Sequence, residues 1–210
     1  MTKKDSKVIP SFQYEREAVK NFDGPVAGVD EAGRGPWAGP VIAAAVILDP
    51  ENYPDGLNDS KKLSAKIRDQ LFDSIMETAV VGVGVANVAR IDKMNILHAS
   101  LWAMSQAIKK LETKPIVALI DGNKSPKTFC ETVTIVKGDS HSLSIAAASI
   151  IAKVTRDRMM EKLAKKFPHY SWEKNKGYGT SAHIAGIEEH GITVHHRTSF
   201  KPVRGYMGVG

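Results

Sequence analysis

The sequence carries a single cysteine, Cys130, in 210 residues. An internal disulfide and a cysteine-built zinc site are thereby excluded, and the thiol is expected as a small, buried or half-buried group. Long apolar runs are also missing. The most apolar stretches, 41–48 and 145–152, fall far short of the ~20 residues that span a bilayer as a helix. Met1 to Lys7 is charged and no apolar signal-type segment follows it, so a soluble cytoplasmic protein is expected, without a membrane. An acidic excess is lacking too: 29 Lys and Arg face 23 Asp and Glu, a net charge of +6. That balance favours an anionic partner, most simply nucleic acid.

Several catalytic classes are excluded by missing motifs. The seven histidines are scattered, and His195-His196 are adjacent rather than four apart on a helix, so a zinc site has no support and most are expected on solvated surface. The loop Gly33-Arg34-Gly35-Pro36-Trp37-Ala38-Gly39 has no Gly-Lys-Ser/Thr after it, which rules out a Walker loop. Gly82-Val83-Gly84 lacks the third glycine and helix start of a dinucleotide fingerprint. Ser140-His141 has no nucleophile elbow around it. There is no internal repeat.

What remains is an ordinary globular composition, 42% hydrophobic and 25% charged, long enough for one domain with a small appendage. Residues 1–25 read as a polar lead-in with one short helix around 14–19, ended by Asp23-Gly24-Pro25. The first strand, 26–30, runs into Asp30-Glu31. A buried second strand at 41–48 is bounded by Pro40 and Pro50. Ser64 caps a helix to about residue 77, with Ile67, Leu71, Phe72 and Ile75 on one face. A third strand covers 79–88 and a helix 95–111. The fourth strand ends at Asp121-Gly122, and the fifth, 131–136, leads to Lys137-Gly138-Asp139. Ser140 or Ser142 caps a long helix from 143 to about 166, and a final helix covers 181–190. Residues 153–176 hold eight Lys or Arg against three acids.

Five strands with helices among them, the first two linked too tightly for a helix, make a mixed α/β sheet. If strands one and four are parallel neighbours, their carboxyl ends share one edge, the edge where open α/β sheets place their sites. Asp30, Glu31 and Asp121 then converge, and Asp139 joins them if strand five pairs nearby or the loop after it folds inward. Side chains alternate along a strand, so Asp30 and Glu31 meet only if the strand ends and bends at once, which Gly33 and Gly35 permit. Taken singly, each acid is equally a strand-end turn former. Clustered carboxylates repel unless cations neutralise them, and an oxygen-preferring divalent ion, Mg²⁺ or Mn²⁺, is the natural compensation. Two such ions suit phosphodiester cleavage.

At this point the residues are similar to a known family. Val26-Ala27-Gly28-Val29-Asp30-Glu31-Ala32-Gly33-Arg34-Gly35, Asn58-Asp59-Ser60-Lys61-Lys62-Leu63-Ser64, Leu119-Ile120-Asp121-Gly122-Asn123 and Lys137-Gly138-Asp139-Ser140 closely resemble type 2 ribonuclease H (RNase HII) of bacterial kind. So do residues 144–157, Asn175-Lys176-Gly177-Tyr178-Gly179-Thr180 and His196-Arg197-Thr198-Ser199-Phe200. The resemblance spans residues 26–203. It implies an RNase H-like fold, a five-stranded mixed sheet flanked by helices, with the catalytic core at 26–166 and a helical C-terminal extension at 167–210. It implies hydrolysis of the RNA strand of RNA–DNA hybrids, and nicking of duplex DNA 5′ of an embedded ribonucleotide with Mg²⁺ or Mn²⁺, leaving 3′-hydroxyl and 5′-phosphate ends.

The family's catalytic, metal-holding acids match Asp30, Glu31, Asp121 and Asp139. The resemblance assigns Gly33, Arg34 and Gly35 to the ribose 2′-hydroxyl, Tyr178 to stacking on the next sugar, and Lys61 to the phosphate backbone. Lys153 and Arg156, in the basic stretch, are further candidates for phosphate contact, or else part of a solvated helix face. A monomer is expected, with no identifiable replication or repair partner. Two other readings stay open: a structure-selective nuclease of the same fold, and a basic duplex-binding protein whose acids are structural.

Overall fold

The computed structural model describes residues 9–208; the charged residues 1–7 and the last two residues lie outside that range. Helix α1 (Gln13–Phe22) precedes strands β1 (Val26–Ala32) and β2 (Val41–Ile47), then α2 (Ala65–Thr78) and β3 (Val80–Ala86). Helices α3 (Val88–Met94) and α4 (Ile96–Lys109) follow, then β4 (Val117–Asp121), β5 (Glu131–Ile135) and the 24-residue α5 (Leu143–Lys166). The short α6 (Trp172–Asn175), α7 (Ser181–His190) and short α8 (Lys201–Arg204) close the chain.

The five strands form one mixed sheet in the order β3-β2-β1-β4-β5. β1 and β2 are antiparallel, as the short loop between them requires, while β1 pairs with β4 and β4 with β5 in parallel. The carboxyl ends of β1, β4 and β5 therefore lie on one edge. The central strands are apolar on both faces because helices cover both. Ile42, Ala44 and Val46 pack with α2 and the Ala-rich half of α5, and Ala27, Val29, Val41, Ala43 and Ala45 pack with α3 and α4. Gly82 and Gly84 are sheet glycines of a packing kind: a Cβ at either would strike the Ala107 or Ala103 carbonyl of α4. Small residues on both sides let helix and sheet backbones approach closely.

The local signals are visible at the helix ends. Ser64 Oγ accepts the Ile67 N–H at 3.3 Å, Asn95 Oδ1 accepts from Leu97 and His98, and Ser142, rather than Ser140, caps α5 through Ile145 N–H at 3.1 Å. Three expectations need correction. Residues 87 and 88 are the cap and first residue of α3 rather than the end of the third strand, because Asn87 Oδ1 caps a new helix through the Arg90 N–H. Ile67 is exposed rather than on the buried face of α2, where Leu71 and Ile75 carry the packing. Residues 9–22 are more than a lead-in: Phe12 and Ala18 are buried in the core, and Ser11 bridges to Ser142.

Candidate active site

β1 does not stop and bend at its acids. It runs on through Ala32 in register with β2, with Asp30 opposite Ala44 and Glu31 opposite Ala43. Ordinary alternation then places Asp30 on the α5 face and Glu31 on the other. Both serve one place because the pairing with β4 ends at Val29. The last residues of β1 have no neighbouring strand on that side, so side chains from either face reach the open edge.

Asp30 is buried, with 5% of its surface exposed, and its Oδ1 accepts the Glu31 N–H at 2.7 Å. Asp121, ending β4, accepts the Gly138 N–H at 2.7 Å, which ties the turn 138–140 to the strand end and brings in Asp139, also buried. Burial, then the charges of Glu31 and Asp121, push the Asp30 carboxyl well above the usual carboxylate range. Burial likewise raises Glu31, against the pull of Arg34, whose Nη1 lies 3.4 Å from Glu31 Oε1. Asp139 is raised by burial, then by Asp59 and Asp121.

Asp59 is a fifth carboxylate that sequence reasoning passed over. Its place inside Asn58-Asp59-Ser60-Lys61-Lys62 looked like an exposed loop, but Ser60 N–H meets Ser149 Oγ of α5 and docks that loop on the edge. Lys61 Nζ stands 4.0 Å from Asp139 Oδ2. Partial burial disfavours its charge, but Asp30, Asp59, Asp139 and Asp121 together carry its pKa above that of an ordinary lysine. Lys62 Nζ lies 3.9 Å from Asp59 Oδ2, and two exposed lysines with one exposed arginine do not balance five acids.

Beside the acids opens a cleft of about 310 Å³ lined by Asp30, Glu31, residues 32–35, Lys61, Lys153, Arg156 and Tyr178, among others. Tyr178 is not a buried turn aromatic: it is 51% exposed, and its ring lies close to Gly35. Lys153 Nζ pairs with Asp157 at 2.8 Å. A larger apolar groove of about 430 Å³, between Pro40, Val88 and Leu163, has no carboxylate in its lining.

Arg156 requires a correction. It is buried, and its guanidinium donates to the carbonyls of Pro40 at 3.0 Å, Lys176 at 2.9 Å and Ala38 at 3.1 Å. A fork committed to three carbonyls is not a free phosphate contact. It holds the loop 33–40. Arg197, fully buried, does the same from the other side, donating to the carbonyls of Gly33, Arg34, Gly39 and Pro40. Burial, then the neighbouring Arg156, brings Arg197 down to about 9, and burial lowers Arg156 to about 10; both stay charged at neutral pH. Gly33 is required here twice over, by its φ of +99° and because a Cβ would strike the Arg156 guanidinium.

The loop's other support is a histidine pair. His183 and His196 are buried, the two exceptions among seven histidines that lie otherwise at least partly exposed. His183 Nδ1 faces the Tyr178 carbonyl at 2.9 Å, so it carries the proton, and its Nε2 accepts from Trp172 Nε1 at 3.0 Å. His196 Nδ1 accepts the Thr193 N–H at 2.9 Å, which leaves its Nε2–H to donate to His183 Nε2 at 3.1 Å. Burial, then His183, lowers His196 to about 4. Thr198 and Ser199 bind Asp92 of α3 through four hydrogen bonds of 2.6–3.1 Å, fastening the C-terminal segment to the core.

The donor set suits a hard divalent cation. Buried carboxylate oxygens repel one another, and Asp30 and Asp121 each have one oxygen held by a backbone N–H. Among the described residues, no three His, Cys, Asp or Glu side chains are grouped so as to hold a metal ion as they stand.

This sheet order and acid-rich carboxyl edge define a hydrolase of ribonuclease H architecture. Its structural neighbours include the ribonuclease H2 from Pyrococcus horikoshii OT3, with a TM-score of 0.73 and 28% identity over 87% of this chain and 96% of that one. Bst-RNase HIII in complex with Mn²⁺ has the same TM-score of 0.73 at 20% identity, over 92% of this chain and 80% of that one.

The chain belongs to the ribonuclease HII family, whose model matches residues 27–203. The ribonuclease HII of Magnetococcus marinus is 59% identical over 182 residues, 85% of each chain. The protein is thus a ribonuclease H, acting on the RNA strand of RNA–DNA hybrids.

Proposed function

We propose that the enzyme also nicks duplex DNA on the 5′ side of a single embedded ribonucleotide, leaving 3′-hydroxyl and 5′-phosphate ends. The observation that carries this reading is the junction at the end of β1: the loop 33–35 follows the two acids directly, and exposed Tyr178 stands across the same cleft. Arg197 takes the Gly33 and Arg34 carbonyls. No acceptor among the described residues takes the Arg34 or Gly35 N–H, which leaves them for a ribose 2′-hydroxyl. The 2′-hydroxyl is what separates RNA from DNA, and reading it needs donors at a fixed distance from the reacting phosphate.

Asp30, Glu31, Asp121 and Asp139 would hold the metal, Mg²⁺ or Mn²⁺. Two such ions, when bound, supply charge neutralisation at the phosphate and an activated water. The chain's own work is placement. Lys61 holds the phosphate backbone beside Asp139, Lys153 adds positive potential along the cleft wall, and Tyr178 stacks on the sugar following the ribonucleotide. Arg34 restrains Glu31 and contributes its backbone to sugar recognition.

A labelled DNA duplex with one ribonucleotide, incubated with Mg²⁺, Mn²⁺ or chelator, tests this. A single metal-dependent nick 5′ of the ribonucleotide is expected, lost when the 2′-hydroxyl is replaced by hydrogen or methoxy. Equal nicking of all-DNA duplex would favour a structure-selective nuclease instead.

A further inference from the structure

Helix α1 lies outside the sheet, and nothing in the reaction described so far uses it. Yet it carries a buried carboxylate. Glu15 is only 6% exposed. Its Oε1 accepts the Ser142 hydroxyl at 2.6 Å and the Ser144 N–H at 2.9 Å, at the first turn of α5. Among the described residues its Oε2 is buried without a hydrogen-bond partner. A buried carboxylate with an orphan oxygen costs stability unless the remaining contacts are needed. The positive end of the 24-residue α5 offsets part of that cost.

The contacts have a definite target. Asp139 sits in the turn 138–140, clamped at its start by Asp121 through the Gly138 N–H at 2.7 Å. Past its end, the Ser142 N–H closes on the Gly138 carbonyl at 2.8 Å. Ser142 Oγ, which receives the Ile145 N–H, donates to Glu15. Ser11, two residues before α1, adds two backbone bonds, its N–H to the His141 carbonyl at 3.0 Å and its carbonyl to the Leu143 N–H at 3.3 Å. The arc bearing Asp139 is thus fixed at one end by another acid of the site and at the other by the N-terminal segment.

We propose that Glu15 is a positioning residue: through Ser142 and Ser144 it sets where Asp139 stands relative to Asp121, and thereby the affinity for the divalent ion. This rests on the reading of Asp139 as a metal ligand. Groups that orient a ligand without touching the metal commonly govern about ten-fold in affinity.

The test is direct Mn²⁺ binding to the full chain, by calorimetry and by the electron paramagnetic resonance of free Mn²⁺, with thermal unfolding recorded in parallel. Glu15→Ala weakens Mn²⁺ binding about ten-fold. Glu15→Asp, which keeps the charge but retracts it from Ser142 and Ser144, weakens it several-fold and serves where Glu15→Ala is too unstable to titrate. Glu15→Gln, which keeps an acceptor at Oε1, stays closer to the parent than either. In an Asp139→Asn background the Glu15 substitutions change Mn²⁺ affinity no further, since the ligand they position is gone.

Unchanged affinity in Glu15→Ala and Glu15→Asp overturns the proposal. So does an equal loss with and without Asp139, which marks a general structural role. If Asp139→Asn itself leaves Mn²⁺ binding intact, the reading of Asp139 as a ligand fails, and the role of Glu15 with it.

Discussion

Two charged regions flank the start of the loop 33–40, and they are built on opposite terms. On the β1 side, Asp30, Glu31, Asp121, Asp139 and Asp59 crowd together with Arg34, Lys61 and Lys62 as their nearest cations, and burial plus repulsion raises the carboxyl groups of Asp30, Glu31 and Asp139. On the C-terminal side, Arg156 and Arg197 are buried and every guanidinium nitrogen donates to at least one carbonyl. The first region is incomplete without an external cation; the second is complete within the protein. On the proposed function, the difference separates groups that act on substrate from groups that hold the machinery still.

The sharpest break of this contrast is Asp30→Asn. It should lower cleavage of hybrid and single-ribonucleotide substrates by about 10³-fold or more, because charge stabilisation at the phosphate is lost. The metal-free unfolding midpoint should stay the same or rise, since a repelling charge is removed. Steady-state kinetics and thermal unfolding measure the two halves, and a lowered midpoint with retained turnover would reverse the assignment.

Arg197→Met should do the converse. Removing the guanidinium orphans the carbonyls of Gly33, Arg34 and Gly39 and should cost about 3–5 kcal/mol in urea unfolding. Activity falls with the loop's order, and Arg197→Lys does not restore it because a point charge cannot replace the fork.

The smallest effect expected is acid sensitivity of the histidine pair. His196 is lowered to about 4 by burial and then by His183, while the unfolded chain binds that proton near 6.5. The unfolded state therefore takes up more protons between those values. Stability from this group is complete above about pH 6.5 and is lost as pH falls toward 4, about 2 kcal/mol by pH 5. The raised carboxylates slope the other way, so the term is read as the difference between the parent and His196→Asn in urea midpoints at pH 7 and 5. No difference would remove the pair as a pH-sensitive support of the Tyr178 turn.

Much of the fold was legible because its signals are local. Ser64, Asn95 and Ser142 begin helices, Pro40 and Pro50 bound a strand, and acids recur after three strands. Helix α3 was missed because Asn87-Val88 continues a branched apolar run until the Asn87 side chain caps the next turn. At the site, the role of Arg156 was misjudged because a basic stretch looks the same whether its guanidinium meets a phosphate or three carbonyls. Arg197 and His196 lay inside a recognised motif with no physical signal of their burial, since burial depends on what packs over them.

The sequence alone carried the acids at three strand ends and the glycine-arginine-glycine loop after the first pair, because strand-end chemistry is written in neighbouring residues; the parallel pairing that puts those ends on one edge stayed a condition until the structure showed it, since it joins segments far apart in the chain. Only the tertiary structure decided how Asp30 and Glu31 share that edge: β1 outruns β4 instead of bending. It alone showed that Arg156, Arg197 and Glu15 turn their charges inward, because whether a charge faces substrate or backbone depends on partners up to 164 residues away in the chain.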